Sequence, residues 1–74
     1  MDAQNLIKMA NQIGAFFESM PDKKEAQEGI FNHIQKNWDP RMRKAFFQSV
    51  DSHQDQELNP FVKEAMVLHR GQLI

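Results

Sequence analysis

Residues 38–43 read Trp38-Asp39-Pro40-Arg41-Met42-Arg43, and this hexapeptide parts the chain into a helix before it and a helix after it. Asp39 is an N-cap residue, whose carboxylate accepts backbone N–H groups that a first helical turn leaves without partners. Pro40 suits the first helical position, because its φ is already helical and its missing N–H would have had no acceptor there. Asn59-Pro60 repeats the pattern twenty residues on. Asp22, after Met20-Pro21 and three residues before Glu25, is a third start, a variant of the capping box.

Between these signals apolar residues recur at three- and four-residue steps, and long alternating β-branched runs are missing. The spacing predicts helix one over about 3–19. At about 100° per residue, Leu6, Met9, Ala10, Ile13, Phe16, Phe17 and Met20 share one face, with Ile7 and Gly14 on its flank. Gly14 admits a second backbone at close range, at a helix-propensity cost of about 1 kcal/mol. Helix two is expected over 23–37, with Ala26, Ile30, Phe31 and Ile34 inward. Helix three is expected over 40–50, with Met42, Ala45, Phe46, Phe47 and Val50 inward and Arg41, Lys44 and Gln48 solvated. The polar run Asp51 to Glu57 reads as a loop. Helix four, over 60–70, has Phe61, Val62, Ala65, Met66 and Leu68 as its apolar set, Gly71 as its stop and 71–74 as a frayed tail. The chain, residues 1–74, is therefore expected to be one all-α domain, a small bundle or array of about four short helices. Phe31, Phe47 and Ile7 sit at the margins of their stripes and Val67 lies off its stripe. That is more apolar surface than so small a body is expected to hide, and such surplus marks a partner surface.

Size supports the same expectation. A core of this size supplies about 3–5 kcal/mol, so small domains lean on a disulfide, a metal or a partner. Cysteine is absent. No apolar run approaches the roughly 20 residues of a membrane span, and the N-terminus lacks a leader pattern, so the chain is expected to be soluble and cytoplasmic, with no membrane partner. The net charge of −1 gives no overall attraction to nucleic acid. The basic set Arg41, Arg43 and Lys44 is followed closely by the acidic set Asp51, Asp55, Glu57 and Glu64. A helical nucleic-acid binder reading DNA with helix three is thus the weaker alternative, because a basic stripe is missing. A regulatory protein or a homo-oligomeric adaptor is a further one.

No catalytic, cofactor-binding or metal-ligating set emerges. His33, His53 and His69 lack ligand spacing. Ser19, Ser49 and Ser52 lack a nucleophile-elbow context. The acidic loop lacks the glycine and terminal glutamate of a calcium loop. Arg43 falls inside the apolar arc of helix three, where a charge needs a partner such as Asp39, four residues upstream. Arginine and tryptophan are the types most enriched at binding hot spots.

Three segments resemble one family. Leu6-Ile7-Lys8-Met9-Ala10-Asn11-Gln12-Ile13-Gly14-Ala15-Phe16-Phe17 is similar to the N-terminal signature of the delta subunit of NAD-dependent formate dehydrogenase. Trp38 to Arg43 resembles its central signature, and Leu58-Asn59-Pro60-Phe61-Val62-Lys63-Glu64-Ala65 its C-terminal one. Asn59 stands where serine is common, and His53 to Glu57 is more polar than the family loop. The resemblance implies a cofactor-free accessory subunit of a cytoplasmic complex. Its large alpha subunit would hold a molybdenum or tungsten pterin and iron–sulfur clusters, and its beta and gamma subunits would pass electrons through flavin to NAD. The partners implied are the larger subunits, above all the alpha subunit. The partner-binding set is then Asn11, Gln12, Phe16, Trp38, Asp39, Pro40, Arg41, Met42 and Arg43.

Overall fold

A computed structural model describes residues 2–73. Four helices follow in order, α1 (Ala3–Glu18), α2 (Lys23–Asn37), α3 (Pro40–Asp51) and α4 (Pro60–Leu68), and a single turn, α5 (Arg70–Leu73), comes after them. No strand occurs among the described residues. The expected starts are built as caps. Asp22 Oδ1 accepts from Lys24 and Glu25 N–H at 2.9 and 3.2 Å, Asp39 Oδ1 from Met42 N–H at 3.0 Å, and Asn59 Oδ1 from Phe61 N–H at 2.9 Å. Asp2 caps α1 in the same way through Gln4 N–H, at 3.0 Å. Each such cap stabilises its helix by about 1 kcal/mol.

The helix α1 packs against α2, α3 and α4, and α2 also packs against α4. Gly14 lies where α1 meets α4: a Cβ placed there would collide with Cγ2 of Val62, which is fully buried. Three hydrogen bonds hold the same seam. Asn11 donates to Glu57 C=O at 2.8 Å and accepts from Asn59 N–H at 2.8 Å, and Asn59 Nδ2 donates to Glu18 Oε1 at 2.8 Å. The core gathers Leu6, Ile7 and Ala10 of α1, Ile30 and Ile34 of α2, Phe46 and Phe47 of α3, and Val62, Ala65 and Met66 of α4, with Trp38, Leu58 and Leu73 between them.

Several expectations about coverage are corrected. Ile7 and Phe47, read as marginal, are each only 1% exposed. A wide stripe on α1 serves three neighbours rather than one, so its flank is interior. Phe31 is half-buried and stacks on the His69 ring, with centroids 4.3 Å apart. Leu68 and Met20, read as inward, are exposed instead. Leu68 lies in the last turn of α4, and Met20 lies past the end of α1.

The C-terminus also departs from expectation. Gly71 does not end a helix; it sits inside α5, and no described glycine has a positive φ. Leu73 is not a frayed tail but a core residue, 1% exposed. Arg70 anchors the turn, donating to both carboxylate oxygens of Asp51 at 2.7 and 2.6 Å and lying 5.0 Å from the Phe47 ring centroid. The hydrogen bond from Arg70 holds the Asp51 carboxyl below the usual range. That anchoring is present above the ordinary carboxylate pKa and is lost as pH falls through the lowered value of Asp51.

The left-handed corner of the fold falls on a residue with a side chain. His53, at φ 60°, ends α3 in a Schellman motif, its N–H bonding Val50 C=O at 3.2 Å while Gln54 N–H bonds Ser49 C=O at 2.8 Å. Two stability predictions follow from these ends. His53→Gly is expected to raise unfolding free energy by about 0.5–1 kcal/mol, since only glycine adopts this conformation without steric cost. Leu73→Ala is expected to lower it by about 2–3 kcal/mol, a core truncation rather than a tail change. Urea unfolding followed by the fluorescence of Trp38 measures both; a neutral Leu73→Ala would return the last turn to the status of a tail.

Candidate functional site

Because α1 turns Ile7, Asn11, Gly14 and Glu18 toward α4 and the loop before it, Met9, Gln12, Ile13 and Phe16 fall on the other side of the helix. There α1, α2 and the start of α3 leave a surface groove. Met9, Gln12 and Ile13 line it from α1, His33 and Asn37 from α2, and Trp38 and Met42 from the α2–α3 junction and α3. Its apolar lining is Met9, Ile13, Trp38 and Met42, and its polar groups are two side-chain amides and an imidazole. Asn37 Nδ2 already donates to His33 C=O at 2.9 Å.

Phe16 borders this groove one helical turn beyond Gln12 and Ile13, and it is 72% exposed, the barest large apolar side chain described. Its ring meets the edge of Phe17 at 5.0 Å, and Phe17 in turn lies over Gly29 of α2. Met20 continues the exposed apolar line past the end of α1. Val67 and Leu68 form a separate exposed pair on α4.

The nine residues proposed from sequence are therefore sorted by the fold. Gln12, Trp38 and Met42 come together in the groove, and Phe16 lies one turn further along the same side of α1, outside its lining. Arg41 and Pro40 are exposed next to Met42. Asn11 ties α1 to the segment before α4, and Asp39 caps α3, so both have structural roles. Trp38 is 4% exposed and meets Phe46 edge-on at 5.9 Å, which makes it core as well as groove lining. Arg43 is half-buried and forms no ion pair with Asp39; its Nε has no acceptor among the described residues. Met9, Ile13, His33 and Asn37 escaped sequence reasoning as site residues. Met9 and Ile13 read as ordinary core positions, and nothing local to His33 or Asn37 signals a neighbour on another helix.

Among the described residues no cluster of three His, Cys, Asp or Glu side chains could hold a metal ion, and no helix is long and apolar enough to cross a membrane. Comparison with known families matches residues 5–66 to the one described as "NADH-dependant formate dehydrogenase delta subunit FdsD". The matched span takes in every groove residue and stops short of α5. No curated protein and no solved structure matches the chain.

The two aromatic candidates should behave oppositely on mutation. Trp38→Ala is expected to cost about 3–5 kcal/mol, comparable to the whole stability of a domain this small. Phe16→Ser is expected to change stability by less than about 1 kcal/mol. Urea unfolding followed by far-ultraviolet circular dichroism separates them. A loss of partner binding in Trp38→Ala would then report unfolding, whereas one in Phe16→Ser would report contact.

Proposed function

The chain belongs to the family of NADH-dependent formate dehydrogenase delta subunits, and from that premise we propose that it is a non-catalytic accessory subunit that docks on the larger subunits of the complex. The observation that supports docking is Phe16, left bare beside a groove lined by Met9, Ile13, Trp38 and Met42 in a domain that otherwise buries its large aromatic side chains in whole or in part. Beyond its edge contact with Phe17, a phenylalanine left in water adds little to such a fold, and covering it in an interface removes apolar area worth about 25 cal/mol per Å².

In this reading the partner is the large alpha subunit, and the complex is cytoplasmic. The delta chain carries no cofactor. The molybdenum or tungsten pterin, iron–sulfur clusters, flavin and NAD reside in the other subunits, and formate oxidation takes place there. The delta chain stabilises the assembly or assists maturation of the metal-containing subunit. The absence from the sequence of an acid–base pair, activated nucleophile or phosphate-binding loop agrees with a role in binding alone.

Co-expression of the tagged chain with the other subunits tests this. The wild-type chain is expected to retain the alpha subunit through purification. Phe16→Asp, with its circular dichroism unchanged, is expected to weaken association by about 2 kcal/mol, roughly thirtyfold. A chain that never copurifies, with full enzyme assembly and activity in its absence, would refute the accessory role.

A further inference from the structure

Sulfur in this chain is carried by methionine alone, since cysteine is absent. A thioether needs no ionisation to react with a hydroperoxide, so access decides which methionine is oxidised. The fold sorts the described methionines by access. Met66 of α4 is 0% exposed and belongs to the apolar core. Met20 is exposed past the end of α1, outside the groove lining. Met9 and Met42 are half-buried, and both line the groove between α1, α2 and the start of α3.

These two thioethers make up half of the apolar lining, with Ile13 and Trp38 as the rest. Their surroundings suit an oxidised sulfur. Asn5 Nδ2 lies 4.0 Å from the Met9 sulfur, a weak N–H contact to a poor acceptor. A sulfoxide oxygen on Met9 is a far stronger acceptor, and the Asn5 amide is already turned toward it. Gln12 and Asn37 bring two more side-chain amides to the same groove. A sulfoxide there has donors and water within reach, whereas one on Met66 would leave a polar oxygen among apolar side chains.

We propose that Met9 and Met42 form a reversible oxidation site for small hydroperoxides. In each reaction an S–O bond forms as the peroxide O–O bond breaks. The sulfur loses two electrons, and hydrogen peroxide is reduced to water, which keeps both of its protons. A dithiol reductant acting through a methionine sulfoxide reductase reverses the step: the oxygen leaves as water and the dithiol becomes a disulfide. Oxidation turns the groove lining from apolar to polar, and the fold stands because the core sulfur of Met66 is sealed. The inference concerns this chain's own side chains and does not depend on the accessory-subunit reading.

The test treats the full folded chain with hydrogen peroxide and follows each methionine by peptide mass spectrometry. Met9 and Met42 are expected to convert at least about tenfold faster than Met66, which the reagent reaches only when the core opens. Trp38 is the only tryptophan and shares the groove lining with both sulfurs, so its emission reports on them. Oxidation is expected to shift that emission to longer wavelength with far-ultraviolet circular dichroism unchanged. Methionine sulfoxide reductase with dithiothreitol is expected to restore it. Met9→Leu and Met42→Leu, made singly and together, keep volume and apolarity. The double variant is expected to lose the emission response, and Met20→Leu to retain it. Conversion of Met9 and Met42 as slow as that of Met66 overturns the proposal. So does a response that survives in the double variant, or full conversion that leaves Trp38 emission unmoved. Unfolding on oxidation of the two groove methionines also overturns it, because the groove would then not bear the change.

Discussion

The close meeting of α1 with α4 at Gly14 and Val62 sets the rest of the molecule. Without a side chain at Gly14 the two helices approach to van der Waals contact, and the buried, β-branched Val62 has little freedom to yield. Asn11, Asn59 and Glu18 then fix the rotation of α1 about its axis through three hydrogen bonds on the same side. Once that rotation is fixed, the opposite side of α1 must meet α2 and α3. Met9 and Ile13 become partly covered there, and Phe16, half a turn from the seam, is left in water. The groove is thus a consequence of which face of α1 the α4 contact consumes.

Much of the architecture was readable because its signals are local. Asp22, Asp39 and Asn59 cap helices through hydrogen bonds to N–H groups two or three residues away, a relation visible in sequence spacing. The C-terminal ends were not readable. The Schellman turn after α3 falls on His53, which carries no glycine signal, and Gly71, which does carry one, lies within a helical turn. The burial of Ile7 and Phe47 was misjudged for a different reason. A helical projection assigns one face to one neighbour, whereas α1 has three, and Phe47 meets Arg70, which the sequence reads as the end of helix four. Of the site, Trp38 is legible as a residue type enriched at binding hot spots, and Gln12, Phe16 and Met42 lie in the segments that carry the family resemblance. Their assembly with His33 and Asn37 depends on the packing of three helices, which no single stretch encodes.

Trp38 joins stability to binding. It lies in the core against Phe46 and also lines the groove. The groove is therefore rigid only when the core is formed, and a partner that fills it stabilises the folded chain by mass action. For a domain whose core supplies only a few kcal/mol, that linkage is comparable to the stability of the isolated chain. A chain with this construction gains stability from any partner that fills the groove.

Three residues oppose their local setting, and their positions are instructive. His53 takes a backbone conformation suited to glycine, Arg41 faces the unfavourable end of a helix dipole, and Phe16 is bare in water. Natural sequences break such local rules at strained or functional sites. His53 closes α3 at the side of the molecule where Asp51 and Arg70 pair, and its bonds to Val50 and the bond from Gln54 to Ser49 account for its strain internally. Arg41 pairs with no carboxylate among the described residues, and Phe16 meets Phe17 edge-on while most of its ring stays in water. Neither residue gains a contact that offsets the cost of its position, so these two, unlike His53, are departures that the fold itself does not explain.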